Sequence, residues 1–339
     1  MKKIILFLSV SLCLLGTCAC KKSSDLPRAI DPAMAPHADK LWDAAWGVAT
    51  DEMHGLLVVK DGKVVYDRRD PAHGPETLHS MWSASKTFTA TAVGFARQDG
   101  LLSVDDPLVR FLKPEEIPDS ASEYLGKVTV KHLLTMSAGL KEDYIGRSNG
   151  HDDFDWALET LKGGFEFEPG TTFRYNSMET YLLSLIVSRV TGKTVEDYLE
   201  DKFFAPLGIR EHVWEKSPQG YSAGGWGLYL RLDDFAKLGQ FFLQKGEWNG
   251  KQLLDPAWFD EAMSPQVMQP GEYTPDNEWM QGYGYQMWCC SHGAYRADGA
   301  WGQICMIIPE KDALVVWQGR SRDVGMEFAT LWKEILPYL

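Results

Sequence analysis

Gly55-Leu56-Leu57-Val58-Val59-Lys60, Asp61-Gly62, Lys63-Val64-Val65-Tyr66-Asp67 reads as two β-rich runs closed by an Asp-Gly turn. That dipeptide accepts the positive φ angles of a tight hairpin, so the stretch predicts two antiparallel neighbours. Near the other end of the chain, Tyr283–Trp288, Gly302–Ile308 and Ala313–Gln318 read as three further strands. Val324–Leu336 reads as a closing helix that stops before Pro337. On the N-terminal side of the hairpin, His37–Met53 carries Leu41, Trp42, Ala45 and Val48 at helical spacing. Between Ser83 and Leu243 the apolar residues recur in helix-length segments, among them Met178–Val190, Thr194–Phe204 and Leu232–Leu243. Strands from both ends with helices between them predict an α+β fold. An antiparallel sheet of about five strands is flanked by N- and C-terminal helices, and an all-helical region is inserted into it. The sheet part covers about 37–82 and 283–339, and the helical part about 83–282. No internal repeat is present.

The chain begins Met1-Lys2-Lys3, followed by the apolar run Ile4–Leu15, a basic start and short apolar core that read as an export signal. The run is too short to span a bilayer as a helix. It ends in Leu15-Gly16-Thr17-Cys18-Ala19-Cys20-Lys21-Lys22, which resembles a bacterial lipobox. Cys20, preceded by the small Ala19, is the expected lipidation site. Residues 1–19 are then a lipoprotein signal peptide, 20–36 a polar tether, and 37–339 the main domain. The expected localisation is the bacterial cell envelope, with the body lipid-anchored to a membrane and facing periplasm or exterior.

A body of about 320 residues buries a sizeable core as one large domain or two intimately joined parts. The formal charge is −13, and loss of Lys2 and Lys3 with the leader makes the body more acidic still. Nucleic-acid binding needs clustered positive charge, so that class is set aside. Beyond the leader only Cys289, Cys290 and Cys305 remain. They form no disulfide framework and no zinc pattern, and buried free thiols are the expected state. Neither metal nor cofactor is implied.

Ser83-Ala84-Ser85-Lys86 opens a run to Gln98 with Phe88, Ala92 and Phe95 on one face. This puts a serine at a helix N-terminus with a lysine one turn later on the same side. A serine hydroxyl is a weak nucleophile until a base takes its proton, and a lysine in a low-dielectric site can lose its charge and serve. Unpaired N–H groups at the helix start can also hold an oxyanion. On these four residues alone, Ser83 is a helix cap and Lys86 a solvated side chain.

The wider segment Met81-Trp82-Ser83-Ala84-Ser85-Lys86-Thr87-Phe88-Thr89 resembles the active-site segment of the β-lactamase-related serine hydrolases. That group includes class C β-lactamases, D-Ala-D-Ala peptidases, certain esterases and 6-aminohexanoate-oligomer hydrolases. Further phrases follow in family order: Gly100-Leu101-Leu102-Ser103-Val104-Asp105-Asp106-Pro107, then Val130–Leu140, then Pro206-Leu207-Gly208-Ile209. The resemblance covers about residues 50–335 and implies a β-lactamase/transpeptidase-like fold with Ser83 as acyl-forming nucleophile and Lys86 beside it.

Such enzymes carry a Tyr-x-Asn, and Phe173-Arg174-Tyr175-Asn176-Ser177 stands in its place. The resemblance gives Tyr175 the general-base role. The third position is Ser177, and Asn176 is one step off, so its side chain is expected to point elsewhere. The third family element is a Lys-Thr-Gly or His-x-Gly, aligned here with Ala297-Asp298-Gly299-Ala300-Trp301-Gly302-Gln303. Ala297 thus replaces a basic residue that meets an anionic substrate, unless Arg296 reaches in. The Gly-x-x-Gly-Gln form resembles the esterase and oligomer-amide hydrolase branch. The Ala300 N–H is expected to complete an oxyanion hole with that of Ser83, with Gly299, Trp301 and Ser177 at the substrate. Ser222-Ala223-Gly224-Gly225-Trp226 leads into a helix capped by Asp233 and is expected to shape the cleft wall without proton chemistry. Trp82, Trp226, Trp301 and Tyr144 are candidates for an aromatic pocket.

The expected function is an envelope-anchored serine hydrolase acting on a small ester, amide or peptide through a Ser83 acyl-enzyme. The competing class is a penicillin-binding-like receptor without turnover, or a D-Ala-D-Ala-type peptidase or β-lactamase. Deacylation separates turnover from simple capture.

Overall fold

The computed structural model describes residues 25–45, 51–141, 143 and 154–339. In chain order its strands are β1 (Glu52–Lys60), β2 (Lys63–Arg69), β3 (His79–Ser80), β4 (Val213–Trp214), β5 (Leu228–Leu230), β6 (Glu247–Trp248), β7 (Lys251–Gln252), β8 (Trp288–Cys289), β9 (Tyr295–Gly299), β10 (Gln303–Ile308) and β11 (Ala313–Arg320). The main sheet has six strands in the order β2-β1-β11-β10-β9-β8, and every neighbouring pair is antiparallel. The Asp61-Gly62 turn takes φ +49° and +71°, the two positive angles that a type I′ hairpin requires. Strands from the two chain ends meet where β1 pairs with β11.

Both faces of this sheet are covered, which is why its strands read as continuous apolar runs. Leu57 and Val59 of β1 join Cys305, Ile307, Leu314 and Val316 in the core beneath the helical region. Their neighbours Leu56 and Val58 join Ile304, Met306, Val315 and Trp317 on the other face. That second face is closed by the Ala35–Ala45 helix through Ala38, Leu41 and Trp42 and by the C-terminal helix through Phe328 and Leu331.

Several expected elements shift. Tyr283–Trp288 is not a strand. Gln286 takes φ +57°, and the amides of Tyr285 and Gln286 donate to Ala262 and Leu134 carbonyls instead of to a ladder. Trp288–Cys289 and Tyr295–Gly299 pair in its place. The first helix is described over Ala35–Ala45, and Met53 belongs to β1. The closing helix is α-helical over Gly325–Thr330 and widens to a π turn over Leu331–Ile335. The helix after the glycine-rich loop does span Leu232–Leu243, but Arg231 is its N-cap residue. Asp233 instead receives Arg28 and Arg69, each at 2.7 Å, because two guanidinium groups offer stronger partners than backbone amides do. Cys289, Cys290 and Cys305 are buried and unpaired. Among the described residues no helix is long and apolar enough to cross a membrane.

Candidate active site

Ser83 sits in the short 3-10 turn Trp82–Ala84, which runs into the Ser85–Gln98 helix. Trp82 holds φ +47°, a strained angle for a bulky residue that persists only where its surroundings fix it. Those surroundings are explicit. The Met81 amide donates to the Leu228 carbonyl of β5 at 2.8 Å. The Ser85 hydroxyl donates to the Trp82 carbonyl at 2.6 Å and accepts from the Leu228 amide at 3.3 Å. On the opposite side, β9 closes on the same turn. A Cβ on Gly299 would lie 2.2 Å from the Met81 carbonyl oxygen and 3.1 Å from the Ala84 nitrogen. Only glycine permits that approach.

Lys86, one turn after Ser83, is buried. Its Nζ lies 3.2 Å from Ser83 Oγ, 3.1 Å from Ser177 Oγ and 2.8 Å from the Gly225 carbonyl oxygen. None of those three partners carries a charge. Burial therefore pushes the amine down to about 7, with the more distant Asp143 carboxylate pulling the other way. A neutral amine has two N–H donors and one lone pair. Nζ is placed to donate to all three partners, so loss of its proton leaves two donors and a lone pair to share among Gly225, Ser177 and Ser83.

Tyr175 arrives from the segment that starts the Ser177–Thr191 helix. Its ring centroid is 4.9 Å from Lys86 Nζ, and the nearby Ser83 hydroxyl favours its deprotonated form. It lies parallel to Trp288 at 5.8 Å and edge-on to Tyr283 at 6.4 Å. Burial holds the phenol above its ordinary pKa, so at neutral pH it is a proton-bearing group. Ser83, Lys86, Tyr175 and Ser177 thus meet in one place. Asn176 is the helix N-cap, its Oδ1 accepting from the Met178 amide at 2.9 Å, which is why Ser177 and not Asn176 faces Lys86.

Two contributors escaped the sequence reading. Gly225 belongs to the loop expected only to shape the wall, yet its carbonyl is the shortest contact of Lys86. A carbonyl leaves no side-chain signature, so only the tertiary structure reveals it. Gln303 is the second: its buried amide donates to the carbonyls of Ala300, Trp301 and Gly319 at 3.2, 3.0 and 2.8 Å. It thereby sets the turn at the end of β9, and the Gly-x-x-Gly-Gln pattern was its signal.

Other expectations change. Arg296 does not reach toward an anionic substrate: it is fully buried and paired with Asp298 at 2.7 Å. Strand alternation turns it away from Ala297. Trp226 is core, stacked on Trp156 at 5.5 Å, whereas Trp82 and Trp301 are 39% and 42% exposed beside the site. Tyr144 and Cys20 lie outside the described residues.

The family described as Beta-lactamase matches residues 38–335. The 6-aminohexanoate-dimer hydrolase of Paenarthrobacter ureafaciens is 25% identical over 290 residues, covering 77% of this chain and 71% of that protein. An uncharacterized protein of Alkalihalophilus pseudofirmus is 30% identical over 210 residues, but this chain spans only 56% of its length. Among solved structures, a family VIII carboxylesterase superposes with a TM-score of 0.71 at 16% identity, covering 91% of this chain and 98% of that one. At that identity the likeness speaks for the fold alone. With the match running from the first helix to the last, this chain belongs to the Beta-lactamase family.

Proposed function

We infer that the protein is a serine hydrolase that opens small esters or uncharged amides through a Ser83 acyl-enzyme. The observation that carries this reading is the Lys86 amine, buried among neutral partners with its Nζ 3.2 Å from Ser83 Oγ. As Ser83 Oγ bonds to the substrate carbonyl carbon, its proton passes to Lys86. Backbone N–H groups of Ser83 and Ala300 receive the oxyanion. Tyr175, a protonated phenol near Ser83, hands a proton to the departing alcohol or amine and recovers one from Lys86. Water then attacks the acyl carbon, and the acid leaves as Ser83 regains its proton. This division moves the base from Tyr175, where the family resemblance put it, to Lys86, since the amine titrates near neutrality and the phenol far above it.

For substrate class, Ala297 offers no cation and Arg296 is withdrawn. An anionic substrate loses a charge-assisted partner, a loss of about 1.5–3 kcal/mol. Trp82 and Trp301 give the acyl group an apolar flank instead. Attachment to the envelope through a lipidated Cys20 belongs to the same proposal. Mass spectrometry of membrane-derived protein is expected to find Cys20 acylated as the mature N-terminus; an unacylated start after Cys20 refutes the anchor.

The activity test is burst kinetics with p-nitrophenyl butyrate and nitrocefin. Steady turnover is expected, with kcat/KM higher for the ester. A stoichiometric burst without turnover identifies a receptor, and a higher kcat/KM for nitrocefin overturns the substrate class.

A further inference from the structure

Arg296 lies in the middle of β9, fully shut off from water. Its guanidinium carbon is 4.2 Å from the ring centroid of Trp279, 4.8 Å from Phe328 and 5.3 Å from Trp288. Nε donates to Asp298 at 2.7 Å, and Nη1 donates to the Glu278 carbonyl at 2.8 Å and to Cys290 Sγ at 3.1 Å. Nη2 has no hydrogen-bond acceptor among the described residues, and the aromatic faces surround the guanidinium in place of one. The titratable and charged groups around this cation are Asp298 on its own strand, Cys289 on the neighbouring β8 and Cys290 just after it, and Tyr175 and Tyr283 from the site. The Glu278 carboxylate is engaged by Ser291 and Trp332.

A hydrophobic side chain fills such a space at lower desolvation cost than an arginine. A purely structural role therefore explains the residue poorly. The cation stands one ring away from the reacting groups. Trp288 pairs with Arg296 across β8 and β9, its indole lies within 18° of parallel to the Tyr175 ring, and that ring also borders the Lys86 amine. The field of Arg296 also favours the deprotonated form of Tyr175, opposing Asp298 and Asp143.

We propose that Arg296 is a positioning residue for acyl transfer, fixing Trp288 and through it the plane of the Tyr175 ring against Ser83 and Lys86. This rests on the serine hydrolase reading above. Acting through Trp288 and never touching substrate, Arg296 influences the chemical step and leaves substrate binding alone.

The test is a double-mutant cycle on p-nitrophenyl butyrate with Arg296→Met, Trp288→Leu and their combination, each checked for folding by thermal melting. Arg296→Met is expected to lower kcat about tenfold with KM held within about twofold, the mark of a misplaced catalytic group. Arg296→Lys, which keeps the charge, recovers part of the loss. The double variant falls no further than the worse single one, because both act on one ring. A folded Arg296→Met with unchanged kcat, or losses that multiply, overturns the proposal. If Arg296→Met does not fold, Trp288→Leu decides: unchanged kcat overturns it and a selective kcat loss shared with Arg296→Lys supports it. Failure of the parent reading is visible separately, as wild-type protein whose Ser83 neither takes a fluorophosphonate label nor turns over ester. In that case a crystal structure of Arg296→Met settles the positioning claim: a displaced Tyr175 ring supports it, an unmoved one overturns it.

Discussion

Lys86 and Lys237 are buried to nearly the same degree, at 1% and 0% exposure, and each sits on a helix in the same core. Their partners differ in kind. Lys237 Nζ meets the carboxylates of Asp234 at 2.8 Å and Asp25 at 2.9 Å, and Asp234 also receives Arg231 at 2.7 Å. Lys86 meets two hydroxyls and a carbonyl. The paired lysine keeps its charge compensated and ties the Leu232–Leu243 helix to the segment entering the sheet. The unpaired one carries the desolvation penalty itself, which is what turns an ammonium into a base at neutral pH. Burial alone therefore says nothing about role, whereas the charge of the partners does.

The sharpest break of this comparison is in activity. Lys86→Met is expected to lower kcat/KM on p-nitrophenyl butyrate by about 10³–10⁴-fold, and Ser83→Ala by at least as much, while Lys237→Met leaves the activity per folded molecule nearly unchanged. Ester kinetics on protein quantified by active-site labelling checks the Lys237 arm. Equal losses at both lysines would erase the distinction.

In stability the order reverses. Lys237→Met strands Asp234 without one of its two cations, at a cost of about 3–5 kcal/mol, read as a lower denaturant midpoint. Lys86→Met removes a buried amine whose pKa is lower folded, about 7, than unfolded. The penalty for burying that group is fully present below pH 7 and fades as pH rises toward the unfolded value. The variant is therefore expected to be more stable than wild type, by more at pH 6 than at pH 9. A loss of stability at both pH values contradicts it.

The smallest effect tunes the base. Activity is expected to rise with pH through about 7 as Lys86 sheds its proton. The Asp143 carboxylate, which accepts from the Ser177 amide at 3.0 Å, favours the charged amine. Asp143→Asn should move the acid limb of kcat/KM to lower pH by a few tenths of a unit. A shift to higher pH assigns that limb to another group.

Much of this molecule can be read along the chain. The Asp61-Gly62 hairpin and the alternation in β1, β10 and β11 follow from local rules, since turn chemistry and a two-sided apolar strand are properties of neighbouring residues. Helix geometry brings Ser83 and Lys86 to one side, and the resemblance of the wider Met81–Thr89 segment is what marks them as a catalytic pair. Where expectation and structure part, a distant group outcompeted a local signal. Asp233 has the composition of a helix cap, yet two arginines from residues 28 and 69 take its carboxylate. Tyr283–Trp288 has the composition of a strand, yet carbonyls of Ala262 and Leu134 take its amides.

The sequence by itself determined the order of elements, the serine and lysine on one helix, and the departure from the family pattern at Ser177 and Ala297. Only the tertiary structure decided which groups surround the lysine. Gly225 reaches Lys86 from 139 positions away and Ser177 from 91, and the Arg296 cage gathers Trp279, Trp288 and Phe328 from three segments. The physical reason is range. Propensity and periodicity act over a few residues, whereas a pKa is set by every dipole and charge within several ångströms, and that neighbourhood exists only once the chain has folded.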